Sequence, residues 1–176
     1  SFPASSKKQE LDDVYAVNSH KPINPNGESH ELRHVDAIKE SLYQSMKRDD
    51  KVILMGQDIA EYGGVFKITE GFVDEFGKER VRNTPIIESG VIGAALGLSI
   101  EGFKPSVEMQ FADFISCGIN QVINNLAKTH YRWGQPVNVT LRMPTGGGVS
   151  AGPFHSQNLE SLFMHIPGLK IVYPSC

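Results

Sequence analysis

Short apolar runs alternate with segments of helical periodicity along this chain, and that alternation restricts the fold more than any other feature of the sequence. Val35, Ile38, Leu42 and Met46 recur at helical spacing, and Lys47 and Arg48 follow where cations suit a helix C-terminus. Val52-Ile53-Leu54-Met55 then has the unbroken apolar character of a strand buried on both faces. Thr69 is placed to cap a short helix through Phe72 and Phe76, with Gly77 as its stop signal. Residues 81–87 read as a second strand region, and 88–102 as a helix with a small-residue face of Gly90, Gly93, Ala94, Ala95 and Gly97. Residues 104–110 read as the next strand. A long helix follows with Phe114, Ile115, Ile119, Val122, Ile123 and Leu126 on its apolar side, ending before Gly134 and Pro136. Val137, Val139, Leu141 and Met143 alternate with polar residues at a period of two, and a Gly-rich loop, a short helix near 159–165 and a final strand at 169–173 complete the order. Repeated strand-helix-strand units of this kind predict an α/β fold: three layers, with a mainly parallel sheet covered by helices on both faces.

Charge and composition then exclude several classes. With 17 basic and 20 acidic side chains the net charge is −3, and no block of Lys or Arg is present, so nucleic acid is not an expected partner. No apolar run approaches the ~20 residues that span a bilayer, and no membrane association is expected. Cys117 and Cys176 form neither a disulfide framework nor a metal-ligand spacing, which suits a reducing, cytoplasmic setting. Residues 1–31 mix Ser, Lys, Pro and Asn with little periodicity and read as a flexible interdomain linker. Residues 32–176 form the domain proper, and its final strand stops where another element is expected. The expectation is a piece of a longer protein, truncated at the C-terminal end.

Three short motifs invite a catalytic reading. His30-Glu31-Leu32-Arg33-His34 fits H-E-x-x-H, but it follows a Pro/Asn/Gly segment, carries Arg33 where a zinc helix wants an uncharged residue, and lacks the downstream third histidine. No metal site is expected. Gly148-Val149-Ser150-Ala151-Gly152 fits G-x-S-x-G, yet its strand has ended by Met143 and Pro153 follows where a helix must begin. Gly146, Gly148 and Gly152 make a dinucleotide-like spacing with no helix N-terminus to meet a pyrophosphate. A zinc or serine hydrolase is therefore the weaker alternative. No Walker-type run occurs, and no Gly-Asp-Gly segment with a downstream Asn is present to hold magnesium diphosphate.

What remains is a set of loops at predicted strand ends, where ligands of open α/β sheets sit. They are Gly56-Gln57-Asp58 with Tyr62-Gly63-Gly64-Val65-Phe66, Thr84-Pro85-Ile86-Ile87-Glu88-Ser89-Gly90, Glu108-Met109-Gln110-Phe111-Ala112-Asp113-Phe114, and Pro153-Phe154-His155-Ser156-Gln157. In order and spacing, from about Leu32 to Cys176, these resemble the transketolase-like pyrimidine-binding domain of the thiamine-diphosphate-dependent decarboxylating component of 2-oxo acid dehydrogenase complexes, in its beta subunit. The N-terminal segment around Leu11-Asp12-Asp13-Val14-Tyr15 resembles the connector of single-chain alpha-beta fusions.

The resemblance implies oxidative decarboxylation of pyruvate or a branched-chain 2-oxo acid with acyl transfer to lipoamide. It also implies roles residue by residue. Glu88 would hydrogen-bond the aminopyrimidine ring nitrogen and drive the exocyclic amine to the imine that takes the thiazolium proton, with the backbone of Ile86 receiving the amine. Phe114 stands where the family places an aromatic, commonly Tyr, against the pyrimidine ring. His155 matches the active-site histidine that aids acyl transfer. Asp58, Glu61 and Gln110 would line the pocket. On the residues alone, Glu88 reads first as a helix-terminal carboxylate and Phe114 as one more core residue, with an exposed loop histidine the alternative for His155. The implied partners are a diphosphate-binding alpha domain or subunit that holds the charged end of thiamine diphosphate with its Mg2+, the lipoyl domain of the dihydrolipoyl acyltransferase, and a second copy in a dimer of the parent protein. The isolated chain is expected to be inactive. A non-catalytic assembly domain of the same fold is the alternative.

Overall fold

The computed structural model describes residues 3–17, 21–24, 26–27, 29 and 31–174. The sheet is built from β1 (Val52–Gly56), β2 (Val81–Asn83), β3 (Lys104–Glu108) and β4 (Thr140–Arg142), all parallel, in the order β2-β1-β3-β4. The helices are α1 (Lys7–Asp12), α2 (His34–Arg48), α3 (Phe72–Phe76), α4 (Glu88–Ile100) and α5 (Thr129–Trp133). The chain enters at β1 in the middle, moves to one edge, then crosses back to build the other side, so a switch point falls between β1 and β3.

β1 shows why the sheet is covered on both faces. Its side chains alternate: Ile53 and Met55 join Val91, Ile92, Ala95, Val107 and Ile115 in one core cluster, while Leu54 joins Met46, Ile59, Phe72 and Val81 in the other. The three-layer α/β arrangement with a parallel sheet is as the sequence predicts. Arg80 ties the second layer together by donating to the carbonyls of Met46 at 2.9 Å, Asp49 at 2.8 Å and Val52 at 3.1 Å. A cation there also suits the negative end of α2.

Several local expectations are corrected. Thr69 does not cap α3; Gly71 holds that position with φ 83°, and Thr69 is buried with its hydroxyl donating to the Ile59 carbonyl at 2.6 Å. β2 and β4 are shorter than the patterns suggested: β2 pairs with β1 only from Leu54 to Gly56, and β4 with β3 only from Ser106 to Glu108. The long helix is a helical run broken into a 3-10 segment Ala112–Gly118, a π segment Gln121–Leu126 and α5. Its apolar periodicity is real, but the turns are not uniform. The run at 169–173 joins no sheet, and Ile171, Val172 and Tyr173 are exposed. Gly93 packs within the domain, facing the Gln121 amide, while Gly97 faces open space.

In the segment read as linker, Ser6 and Gln9 form a reciprocal capping box that starts α1. Tyr131 donates to Glu10 at 2.9 Å and Tyr15 to the Leu169 carbonyl at 3.2 Å, so the segment touches both α5 and the C-terminal run. No helix among the described residues is long and apolar enough to cross a membrane.

Gly168 fixes the turn before that run. It has φ 93°, and a Cβ there would lie 2.0 Å from the Ala127 carbonyl oxygen. Gly168→Ala is expected to cost about 2–4 kcal/mol, combining left-handed strain with a backbone clash. Urea unfolding of the two proteins checks this, and equal midpoints would contradict it.

Candidate functional site

The loops singled out in the sequence leave the C-terminal ends of the four parallel strands, where main chains diverge and side chains from distant segments meet. From β1 come Gln57 and Asp58, from β2 Thr84 to Glu88, from β3 Gln110, Phe111 and Phe114, and from the loop beyond β4 His155. Their contacts run across the sheet in strand order. Glu88 Oε1 accepts from Gln57 Nε2 at 3.2 Å, joining the ends of β2 and β1. Gln110 Nε2 donates to Asp58 Oδ2 at 3.4 Å, joining β1 to β3. The Phe111 ring meets the His155 ring edge-on at 4.8 Å between centroids, joining β3 to the loop beyond β4.

Glu88 is the first residue of α4 and is half-buried. The free N–H groups of that first turn favour an anion, so a carboxylate is stable there without being an N-cap; the cap position belongs to Ile87. Before it, Ile86 is 82% and Ile87 51% exposed, which leaves two large apolar side chains on a loop beside a carboxylate. The Thr84 hydroxyl is buried and has no hydrogen-bond partner among the described residues.

The aromatic side of the site is tighter. Phe114 lies 5.4 Å from His155 and 6.1 Å from Phe111, all edge-on, and Phe66 from the loop after β1 reaches Phe111 at 5.9 Å. His155 Nδ1 is buried there and makes no hydrogen bond among the described residues. Gly118 lets the segment carrying Phe114 lie against α4: a Cβ at that position would come 2.5 Å from Ile92 and 3.5 Å from the Glu88 main chain. Beneath the loops, Arg142 donates to Glu108, a buried ion pair between facing residues of β4 and β3.

Of the residues expected from sequence, Glu88, Ile86, Asp58, Gln110, Phe114 and His155 all stand at this one end of the sheet. Glu61 lies at the β2 edge of this end, outside the line of contacts. It pairs with Lys78 at 2.7 Å and accepts from Asn83 at 3.0 Å. Gln57 and Phe111 were not assigned roles from sequence, although each adjoins an assigned residue. His34 begins α2, and His30 lies outside the described residues; no cluster of His, Cys, Asp or Glu that could hold a metal occurs among the described residues. Ser150 has φ 60° in an exposed loop eight positions past the end of β4, not between a strand and a helix.

The site brings together a carboxylate acceptor, exposed apolar side chains beside it and a wall of aromatic edges. Residues 30–176 match the family described as transketolase, pyrimidine binding domain. The chain is 45% identical over 148 residues to 2-oxoisovalerate dehydrogenase subunit beta of Bacillus subtilis, covering 82% of this chain and 45% of that protein. It is 44% identical over 147 residues to pyruvate dehydrogenase E1 component subunit beta of Staphylococcus epidermidis, with the same coverage. The chain thus spans about half the length of the curated relatives it matches. Among solved structures, a split gene transketolase, an inactive beta4 tetramer, superposes with a TM-score of 0.56 at 20% identity, over 74% of this chain and 39% of that one, which shows a shared fold.

Proposed function

The chain belongs to the transketolase pyrimidine-binding domain family, and from that premise we propose that it is the pyrimidine-binding part of a thiamine-diphosphate-dependent 2-oxo acid dehydrogenase. The observation that carries the reading is the line of contacts from Glu88 through Gln57, Asp58, Gln110 and Phe111 to His155, along one end of the parallel sheet. The beta subunits of 2-oxoisovalerate and pyruvate dehydrogenases among its relatives point to branched-chain 2-oxo acids or pyruvate as substrate.

The residues fit the aminopyrimidine end of the cofactor. Among the described residues the Glu88 carboxylate accepts one side-chain hydrogen bond, from Gln57 at 3.2 Å, which leaves acceptor capacity for a protonated ring nitrogen. The Ile86 carbonyl, on an exposed loop two residues earlier, is the acceptor for an exocyclic amine. Phe114 supplies an aromatic wall, while Asp58 and Gln110 form the rim. When bound, the cofactor supplies a thiazolium carbon as nucleophile and electron sink for decarboxylation of a 2-oxo acid. Glu88 shares a proton with the ring nitrogen, and so governs proton transfer at the amine. His155, at the far end of the contact line, faces the substrate and the acyl acceptor and handles protons there.

The chain has no Gly-Asp-Gly segment, so a diphosphate-binding alpha domain or subunit holds the diphosphate and its magnesium, and the site is shared between the two in a dimer of the parent enzyme. A lipoyl domain takes the acyl group. Residues 1–31 serve as the connector to what precedes the domain.

The test is reductive acylation of a lipoyl domain by the full-length enzyme with thiamine diphosphate, magnesium and either pyruvate or branched-chain 2-oxo acids. Acylation by the full-length enzyme and none by this chain alone is expected. A full-length enzyme that acylates from no 2-oxo acid overturns the reading.

A further inference from the structure

One buried carboxylate at this end of the sheet has no part in the chemistry above. Asp113 stands in the 3-10 segment between Phe111 and Phe114 and is 7% exposed. Its Oδ1 accepts from the Gln157 main-chain N–H at 3.3 Å and from the Gln157 side-chain amide at 2.8 Å. Both donors belong to the residue two positions beyond His155. On the same segment the Ser116 hydroxyl donates to the Asp113 carbonyl at 3.0 Å. Within the loop the His155 N–H at 3.2 Å and the Ser156 hydroxyl at 2.9 Å both donate to the Gly152 carbonyl, and on its far side the Thr145 hydroxyl donates to the Gln157 carbonyl and to the Asn158 side chain, each at 2.8 Å.

A carboxylate at this depth is costly unless it is hydrogen-bonded, and Asp113 Oδ2 is buried with no partner among the described residues, so an apolar residue would serve local packing better. What the carboxylate does accomplish is to grip the loop that carries the imidazole. The same short segment supplies the two rings on which that imidazole rests, at 4.8 and 5.4 Å. Charge-assisted bonds on one side and aromatic edges on the other fix a side chain more narrowly than either alone.

Resting on the reading of His155 as the residue at the substrate end, we infer that Asp113 is a positioning residue: through Gln157 it sets the placement of the His155 imidazole against Phe111 and Phe114. It touches neither substrate nor cofactor. Displacing a catalytic group by about an ångström costs on the order of 10²-fold.

Gln157→Ala is the first variant, because Gln157 is exposed and its loss leaves both core clusters intact. In the full-length enzyme it is expected to lower lipoyl-domain acylation by about 10- to 100-fold. In a His155→Ala background the same substitution is expected to cost less than about twofold, since it acts through the missing imidazole. Asp113→Ala should repeat that pattern, and Asp113→Asn, which keeps one acceptor oxygen, should recover part of the rate. In the cofactor-free protein, nuclear Overhauser contacts from the His155 ring to Phe111 and Phe114 should weaken in Gln157→Ala while its thermal midpoint stays at the wild-type value. An equal cost of Gln157→Ala with and without His155, or unchanged ring contacts, overturns this inference and leaves the functional reading standing. A wild-type rate in His155→Ala alone overturns this inference together with the role given to His155, while loss of all acylation in the unsubstituted enzyme is what overturns the functional reading.

Discussion

Glu88→Gln in the full-length enzyme is expected to slow exchange of the hydrogen on the thiazolium carbon by about 10²- to 10⁴-fold, the usual cost of losing an acid-base partner. The substitution changes little else. Gln has the same length, and its amide oxygen can still accept from Gln57, which bonds Glu88 at 3.2 Å in the wild type. At the start of α4 the carboxylate gains only a few tenths of a kcal/mol to about 1 kcal/mol from the helix N-terminus, so its neutral replacement leaves the domain folded. An amide, however, cannot share a proton with the pyrimidine ring nitrogen. If Glu88 were only a helix-terminal carboxylate, exchange would continue at the wild-type rate and the loss would register solely as a small drop in thermal midpoint.

His155→Ala is expected to do the opposite. The imidazole lies at the other end of the contact line, against Phe111 and Phe114, on the loop beyond β4, whereas Glu88 follows β2 at the opposite edge of the sheet. Thiazolium exchange should therefore stay within a few-fold of wild type, while decarboxylation or acyl transfer falls by about 10²- to 10⁴-fold. Single-turnover measurements with lipoamide as acceptor separate the two steps. A parallel fall of exchange and acyl transfer in this variant would mean that the two residues do not divide the chemistry between them.

The sequence carried most of the fold because buried parallel strands and amphipathic helices leave distinct patterns. Val52 to Met55 is apolar throughout because β1 is packed on both faces, and α2 shows its periodicity because one side meets β1. Patterns fail where structure depends on a partner. Residues 137–143 alternate as a strand should, yet only Thr140–Arg142 pair with β3, since Pro105 has no N–H to offer and the Asn138 N–H donates to the Ser99 hydroxyl instead. The apolar run at 169–173 looks like a strand but meets no ladder. The break of the helical run at 112–133 has no periodic signature; it accompanies the close approach of Gly118 to Ile92. The site divides the same way. Glu88, Phe114 and His155 stand out through the order of four motifs and come to one end of the sheet, their roles remaining the proposal, whereas Gln57, Asp113 and Gln157 show nothing in sequence of the partners that segments far apart bring to them.

The central claim is that Glu88 receives the pyrimidine end of thiamine diphosphate, and a crystal structure of the full-length enzyme with that cofactor and magnesium tests it most directly. The account predicts a Glu88 carboxylate oxygen within about 2.6–3.2 Å of a pyrimidine ring nitrogen, the exocyclic amine donating to the Ile86 carbonyl and the Phe114 ring lying against the heterocycle. A cofactor bound with its pyrimidine away from Glu88, and Glu88 still bonded only to Gln57, would contradict it.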